Sequence, residues 1–544
     1  MKKNLCFMAI FIAVVFFGNI IAQIRINEVE RVFPLISKKK IKVYLSNLAS
    51  DKFEGRGTGQ RGGNLAAKYI ADKYKEFGLK MINSLNSYFQ EITLVGIETK
   101  KDSNFSIGKI KFKQLEDYVM NNELEEKEYE INADLVYVGY GITAPEYNWD
   151  DYKNIDVKNK VLLILVNEPK SDREYFFDGK ALTYYGRWTY KYEKAAEKGA
   201  LGAILIHTDE GAGYGWNVVR NSWGREQFYH PSKENDKRLH LAGWITYDKA
   251  VEVFKACNLN YQDMIEKTSH SDFIPEKLCV EVKAKLRSEV RKVKTANVIG
   301  YISGDDEKYE MQPVIITSHY DHLGKGKPVR GDAIYNGAVD NASGVSVLLE
   351  LARIFNKGGI KFKRPVVFMA TAAEEDGLRG SEFYVKNPLF PLKQTAANIN
   401  IDSVSVWGLT DAITFLGIEK TNLRDIANEV AKKMNMRLLP EAYPELGMFF
   451  RSDQFNFVRA NVPSIYIKQG GYVIGKPKEW TESKLSEYSR TKYHSPFDEY
   501  DVSWDLESVA QMVKVVAYST SLIANMEGKP LLLKRERSYS FNDK

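Results

Sequence analysis

The sequence predicts an α/β protein: a mostly parallel or mixed sheet with helices on both faces, interrupted by a β-rich segment. Three observations lead there. From Thr295 onward, short apolar runs alternate with helical patterns, the grammar of strands joined by crossover helices. Between 133 and 208, apolar runs follow one another with no helical period between them. Imidazole and carboxylate side chains stand directly after several of the later runs, where open sheets of this class build their sites.

The chain has 544 residues, of which 44% are hydrophobic and 27% charged. That balance excludes a disordered, collagenous or multi-span membrane protein. Lys and Arg number 77 against 71 Asp and Glu, with no basic block, so nucleic acid is not an expected partner. Met1-Lys2-Lys3-Asn4, the apolar run Leu5 to Phe17 and the small residue Ala22 follow the order of a secretory signal peptide. The run is short for a bilayer span, and no stable membrane anchor is expected. Cleavage after Ala22 removes two lysines and no acid, leaving 75 bases against 71 acids. Export to a periplasm or the medium follows. Cys6 lies inside the apolar run, and Cys257 and Cys279 could either pair or stay buried and free.

Leu65, Ala66, Tyr69, Ile70, Tyr74 and Phe77 recur at spacings of three and four and stop at Gly78, predicting an amphipathic helix. From 103 to 132 the chain is charged and weakly periodic. ADLVYVGYG, KVLLILVNEP and GALGAILIHT then supply β-rich runs, expected to form a separate, mainly β unit that ends near the charged stretch 281–294. Tyr184, Tyr185, Trp188, Tyr190 and Tyr192 crowd one part of it, most as core and some as a roof over substrate. Beyond 295, NVIGYISG and PVIITS precede a helix carrying Val345, Leu348, Leu349, Ala352 and Phe355 on one face. PVVFMATA, a helix near 378–386 and ANINI follow. Such alternation gives a sheet covered on both faces.

SHYDHLG sets His319 and Asp321 at one strand end, AEEDG sets Glu374 and Glu375 at the next, and ANINI leads to Asp402. NGAVDNASG delivers Asp340 on a Gly-flanked turn before a helix. Carboxylates crowded together repel unless cations neutralise them, and His with Asp and Glu suits zinc or a similar divalent ion. Taken singly, each residue is more often a cap or a solvated turn. HExxH, CxxC and a GxSxG following a strand are all absent, which removes the common zinc-helix, redox and serine-hydrolase patterns.

SHYDHLG, GAVDNASG, TAAEEDGLRGS, NINIDSV and YHSPFDEYD, in that order, resemble the co-catalytic di-zinc aminopeptidase and glutamate carboxypeptidase family. EGRGTGQRGG resembles the start of its zinc exopeptidase fold, and the β unit resembles its protease-associated insert. Between the signal peptide at 1–22 and a polar tail at 531–544 read from the residues themselves, the resemblance implies a catalytic domain in two parts (23–115 and 293–530) and an insert at 116–292. It further implies two Zn2+, other divalent metals being possible: His319 and Asp402 on one, Glu375 and His494 on the other, and Asp340 on both. Glu374 would be the general base, and Asp321 would orient His319. A metal-bridged hydroxide would attack the N-terminal bond of peptide substrates. A cis peptide at Asp340-Asn341 is also implied.

FRSDQF resembles a segment lining the cleft, although relatives often read Ser-Asp-His where this chain has Ser452, Asp453 and Gln454. Arg451 could hold a terminal carboxylate, as a carboxypeptidase needs, or serve as a cleft-wall salt bridge. The alternatives are therefore a dipeptidase or carboxypeptidase of the same family, a single-metal glutaminyl cyclase, and a receptor-like binding protein without catalysis.

Overall fold

The strand Val314–His319 is buried along its whole length, and its side chains point alternately to two layers. Val314 and Ile316 join one core cluster, while Ile315 joins another on the opposite face. Val366 and Phe368 against Val367 and Met369 repeat the division in the strand Val366–Thr371. A strand buried on both faces needs a helical layer on each side, and the computed structural model has both. Residues 28–100, 103–170, 173 and 176–533 are described. The signal peptide expected at 1–22 and most of the tail expected at 531–544 lie outside them.

The sheet of the C-terminal half runs in the order Arg437–Leu438, Thr410–Leu416, Ser464–Val473, Ala397–Asn400, Val314–His319, Val366–Thr371 and then the long strand Glu276–Ile302. Val314–His319 is parallel to both its neighbours, and Ala397–Asn400 is parallel to Ser464–Val473. The long strand closes one side antiparallel, and so does Phe89–Thr99 beyond it. The helices Lys38–Leu48, Arg61–Phe77, Gly344–Lys357 and Glu507–Asn525 bury their apolar residues in the cluster on one face. Arg379–Lys386 and Gln454–Arg459 contribute Tyr384, Val385 and Phe457 to the other. The helix expected over Leu65 to Phe77 begins at Arg61 and ends as expected at left-handed Gly78, whose N–H closes back on Lys75 O and Tyr74 O.

The charged stretch at 281–294 is a half-solvated strand. It lies inside the strand Glu276–Ile302, which passes from one half of the molecule to the other. Val282, Ala284 and Leu286 are buried while Lys283, Lys285 and Arg287 face outward, so its mixed charge reflects period-two alternation. Before this strand, the order continues through Glu128–Tyr137, Val161–Leu165, Gly202–His207, Leu241–Thr246 and Tyr118–Asn121. Asn104–Ile107 already pairs with the same long strand. The segment expected as a mainly β unit carries more helix than its β-rich runs suggested, with Trp188–Glu197, Trp216–Trp223, Tyr247–Ala256 and Tyr261–Thr268 packed around parallel strands. Its helices are short and aromatic-rich, which blurs their period. Cys257 and Cys279 form a disulfide with a Cα–Cα separation of 5.4 Å. Among the described residues, no helix is long and apolar enough to cross a membrane.

Candidate active site

The carboxyl ends of three neighbouring strands converge. His319 is the last residue of its strand, Glu374 and Glu375 follow Thr371 by three and four residues, and Asp402 follows Asn400 by two. Asp340 enters from the turn before the helix Gly344–Lys357, and His494 from the loop after Lys478–Glu487. The two carboxylate oxygens of Asp340 face opposite ways. Oδ1 is 3.3 Å from His319 Nε2, which is 3.3 Å from Asp402 Oδ1. Oδ2 is 3.4 Å from His494 Nε2, which is 3.2 Å from Glu375 Oε2. His319, Asp340 and Asp402 have ligand atoms close enough to share an ion, as do His319, Glu374 and Glu375.

Backbone geometry fixes Asp340. Its N–H and that of Val339 donate to the Asp498 carboxylate at 3.0 Å, and the Asp340-Asn341 peptide is cis. Gly337 makes the turn at φ +55°, and a Cβ there would lie 2.3 Å from Asp340 O and 2.5 Å from the His322 ring, so only glycine fits. Asn341 Nδ2 donates to Ser318 Oγ, His319 O and Ile401 O, while its Oδ1 accepts from Gly344 and Ser403 N–H. One amide thus ties the turn to two strand ends.

Asp321 uses its side chain differently from expectation. Its carboxylate accepts the N–H of Glu374 at 3.1 Å and of Glu375 at 3.2 Å. His319 Nδ1 is 3.9 Å from that carboxylate, beyond hydrogen-bond reach, but 3.2 Å from the Asp321 main-chain oxygen. His319 is therefore steered by the backbone of Asp321, and the Glu374-Glu375 segment by its side chain. Burial pushes the Asp321 carboxyl up to about 7 against the pull of His319.

The electrostatics are those of an anionic pit. Burial opposes charging His319, yet Glu374, Asp402 and Asp340 hold its imidazole well above the usual range. Burial likewise opposes His494, and Glu375 and Asp340 raise it. Against their own burial, the histidines hold Asp340 well below the ordinary carboxylate value and also lower Glu375 and Asp402. Glu374 behaves oppositely: burial, assisted by Glu375 and Asp402, pushes it well up. These buried imidazoles and carboxylates, in groups whose ligand atoms lie close enough to share an ion, are a donor set that fits a divalent cation such as zinc.

Several residues escaped the sequence reading. His322 Nδ1 lies 2.6 Å from Glu375 Oε1; its position in SHYDHLG was the available signal. Ser222 Oγ lies 2.8 Å from His494 Nδ1, and Asn221 Nδ2 donates to His494 O at 2.9 Å. Both come from the insert helix Trp216–Trp223, and nothing local to them signals the contact. Gln454 is fully buried and accepts from Asn400 Nδ2 at 2.8 Å, so the departure from Ser-Asp-His falls beneath the site. Asp453 accepts a hydrogen bond from Thr371 Oγ1. Arg451 donates to Leu446 O at 2.9 Å and Ala212 O at 3.0 Å and, among the described residues, has no salt-bridge partner. Tyr185 and Tyr190 are core, whereas Tyr184, Trp188 and Tyr192 also line the cleft.

The site opens into a cleft of about 1320 Å3 lined by residues between Tyr184 and Arg238 and by Asp340, Glu374, Glu375, Asp402 and His494. With that geometry described, comparison with known proteins is direct. Residues 297–520 match peptidase family M28. The chain is 34% identical over 323 residues to a glutamate carboxypeptidase 2 homolog of Caenorhabditis elegans, covering 50% of this chain and 37% of that one. It is 26% identical over 253 residues to aminopeptidase YwaD of Bacillus subtilis (strain 168), covering 45% and 49%. The chain thus spans about half or less of the length of these relatives. Among solved structures, an aminopeptidase from Aneurinibacillus sp. strain AM-1 superposes with a TM-score of 0.55 at 19% identity, over 93% of this chain and 98% of that one. A zinc aminopeptidase from Bacillus subtilis gives 0.50 at 18%, with the same coverage. These superpositions show a shared fold.

Proposed function

We propose, from the match of residues 297–520 to peptidase family M28, that the chain is an exported two-zinc aminopeptidase acting on peptides. The observation that carries the reading is the division of Asp340 between two His–carboxylate pairs. His319 and Asp402 would hold one ion, His494 and Glu375 the other, and Asp340 both. When bound, such a pair lowers the pKa of a water toward about 7 and polarises a carbonyl.

The remaining work belongs to side chains. Glu374 is buried beside the ligands, and its raised proton affinity suits a carboxylate that takes a proton from the attacking water and returns it to the leaving amine. That role is worth about 10²–10⁴-fold in rate. Asp321 holds the two N–H groups that aim Glu374 and Glu375. The solved zinc aminopeptidase of the same fold supports the choice of reaction.

The segment sharing the long strand and walling the cleft is read as a protease-associated insert. Export is supported by the disulfide Cys257–Cys279, a bond that persists in oxidising compartments. The test is hydrolysis of free-amino and N-acetylated peptides, with and without chelator and with zinc restored. Cleavage that needs the free amine and zinc is the expected result. Cleavage that tolerates acetylation but needs a free carboxylate would instead make this a carboxypeptidase.

A further inference from the structure

Residues 216–229 touch both the turn that carries Glu375 and the loop that carries His494. The segment opens with the helix Trp216–Trp223 and ends in the short strand Gln227–Tyr229, which pairs antiparallel with Phe89–Thr99. Phe228 is buried in one cluster with Ile92, Leu94, Val293 and Ala373, the residue before Glu374. Its main-chain oxygen accepts from Arg379 Nε at 3.0 Å. Gln227 Nε2 donates to Ser222 O at 2.8 Å and to Arg225 O at 3.2 Å, closing the bend between helix and strand.

From that bend the side chains reach two neighbouring ligands. Asn221 and Ser222 hold the main-chain oxygen and Nδ1 of His494. Arg225 Nη2 lies 2.9 Å from the Asp376 carboxylate and donates to Glu375 O at 3.3 Å. The Asp376 side chain is fully buried, and Arg225 is its one salt-bridge partner among the described residues. A buried carboxylate left without its cation is costly, so the pair fastens residue 376, and with it the adjoining Glu375, to the segment. Glu375 is thus gripped on both sides, its N–H by Asp321 and its C=O by Arg225. His319 and Asp402 are held elsewhere, by Asp321 O and by Ser403 and Tyr466. Among the described residues, 216–229 make no hydrogen bond or ion pair to either.

We propose that Arg225 is a positioning residue for Glu375, and that the segment 216–229 is thereby a structural part of the metal position formed by Glu375 and His494, and not of the one formed by His319 and Asp402. This rests on the two-zinc reading given above. Two groups that share an ion must keep a fixed separation, and both are pinned to the same short stretch, Asn221 to Arg225. Linkage makes the effect reciprocal: seating the segment tightens that ion, and binding that ion seats the segment.

The test measures the two zinc dissociation constants of the enzyme by competition with a fluorescent chelator. Arg225→Met should weaken one of them about 10–100-fold, the usual effect of losing a group that holds a metal ligand, and leave the other unchanged. Arg225→Lys, which keeps a cation beside Asp376, should recover part of the loss. Combining Arg225→Met with Asp376→Asn leaves no buried carboxylate unpaired, and the same one-sided weakening is expected. Hydrogen exchange of residues 216–227 in the wild type should slow with one of the two zinc equivalents and not with the other. A purely structural role would lower the urea midpoint of the metal-free variants and move both constants together or neither, and that result would overturn the proposal. Exchange in the segment indifferent to zinc would overturn it whether or not the variants fold. A wild type that binds a single zinc would instead overturn the two-zinc reading.

Discussion

Asp340 shows how much of this site is decided by single residues: Asp498, Gly337 and Asn341 each fix one aspect of its placement. Glu374 carries the proposed proton transfer. Glu374→Gln should lower kcat by about 10²–10⁴-fold while zinc content, measured by plasma emission, stays at the wild-type value. Ser222 acts through His494, holding Nδ1 so that Nε2 faces Asp340 and Glu375. Loss of such a partner typically weakens metal affinity about 10–100-fold. Ser222→Ala should therefore release one zinc more readily to a chromogenic chelator, with little change in the other. Away from the site, burial next to Glu419 pushes Glu441 up to about 7, and its Oε1 has no partner. A carboxyl raised in the folded state stabilises it most below the unfolded pKa, and that contribution is lost as pH rises through the folded value. The stability of Glu441→Gln relative to wild type should accordingly grow between pH 4.5 and 7 and level off above, as urea unfolding at several pH values would show.

At the scale of elements, the helix Gly344–Lys357 supports the Asp340 turn and is buried almost throughout. Leu348→Ala should cost about 2–5 kcal/mol, the range for an aliphatic core truncation, measured by chemical denaturation. The helices and strands of this half were legible because the apolar runs are long and their periods clean. Val345, Leu348, Leu349 and Phe355 fall on one face in sequence and pack together in space. The strand Glu276–Ile302 was harder to read. Its first half is half-solvated and charged, and only the alternation of Val282, Ala284 and Leu286 marked it as sheet. The helices of the segment before this strand were missed for a related reason, since Trp188 and Tyr192 serve as core and cleft wall at once and spoil a one-sided pattern.

Over the whole molecule, the cleft is made by two segments far apart in sequence that share one sheet. His319, Asp340, Glu374, Glu375 and Asp402 could be picked out in advance because strand ends in one sheet must converge, so local pattern implied proximity. His494 was carried by family resemblance alone. Ser222 and Asn221 could not be read, because their helix meets the strand ends only through tertiary packing. The two-cation arrangement is the central claim, and a zinc titration tests it most directly. Enzyme stripped by chelator is given increasing zinc, and the hydrolysis of a free-amino peptide is followed at each step. Activity absent in the stripped protein and rising to a plateau at two equivalents per chain is the predicted result. A plateau at one equivalent, or activity indifferent to zinc, would contradict the shared role given to Asp340.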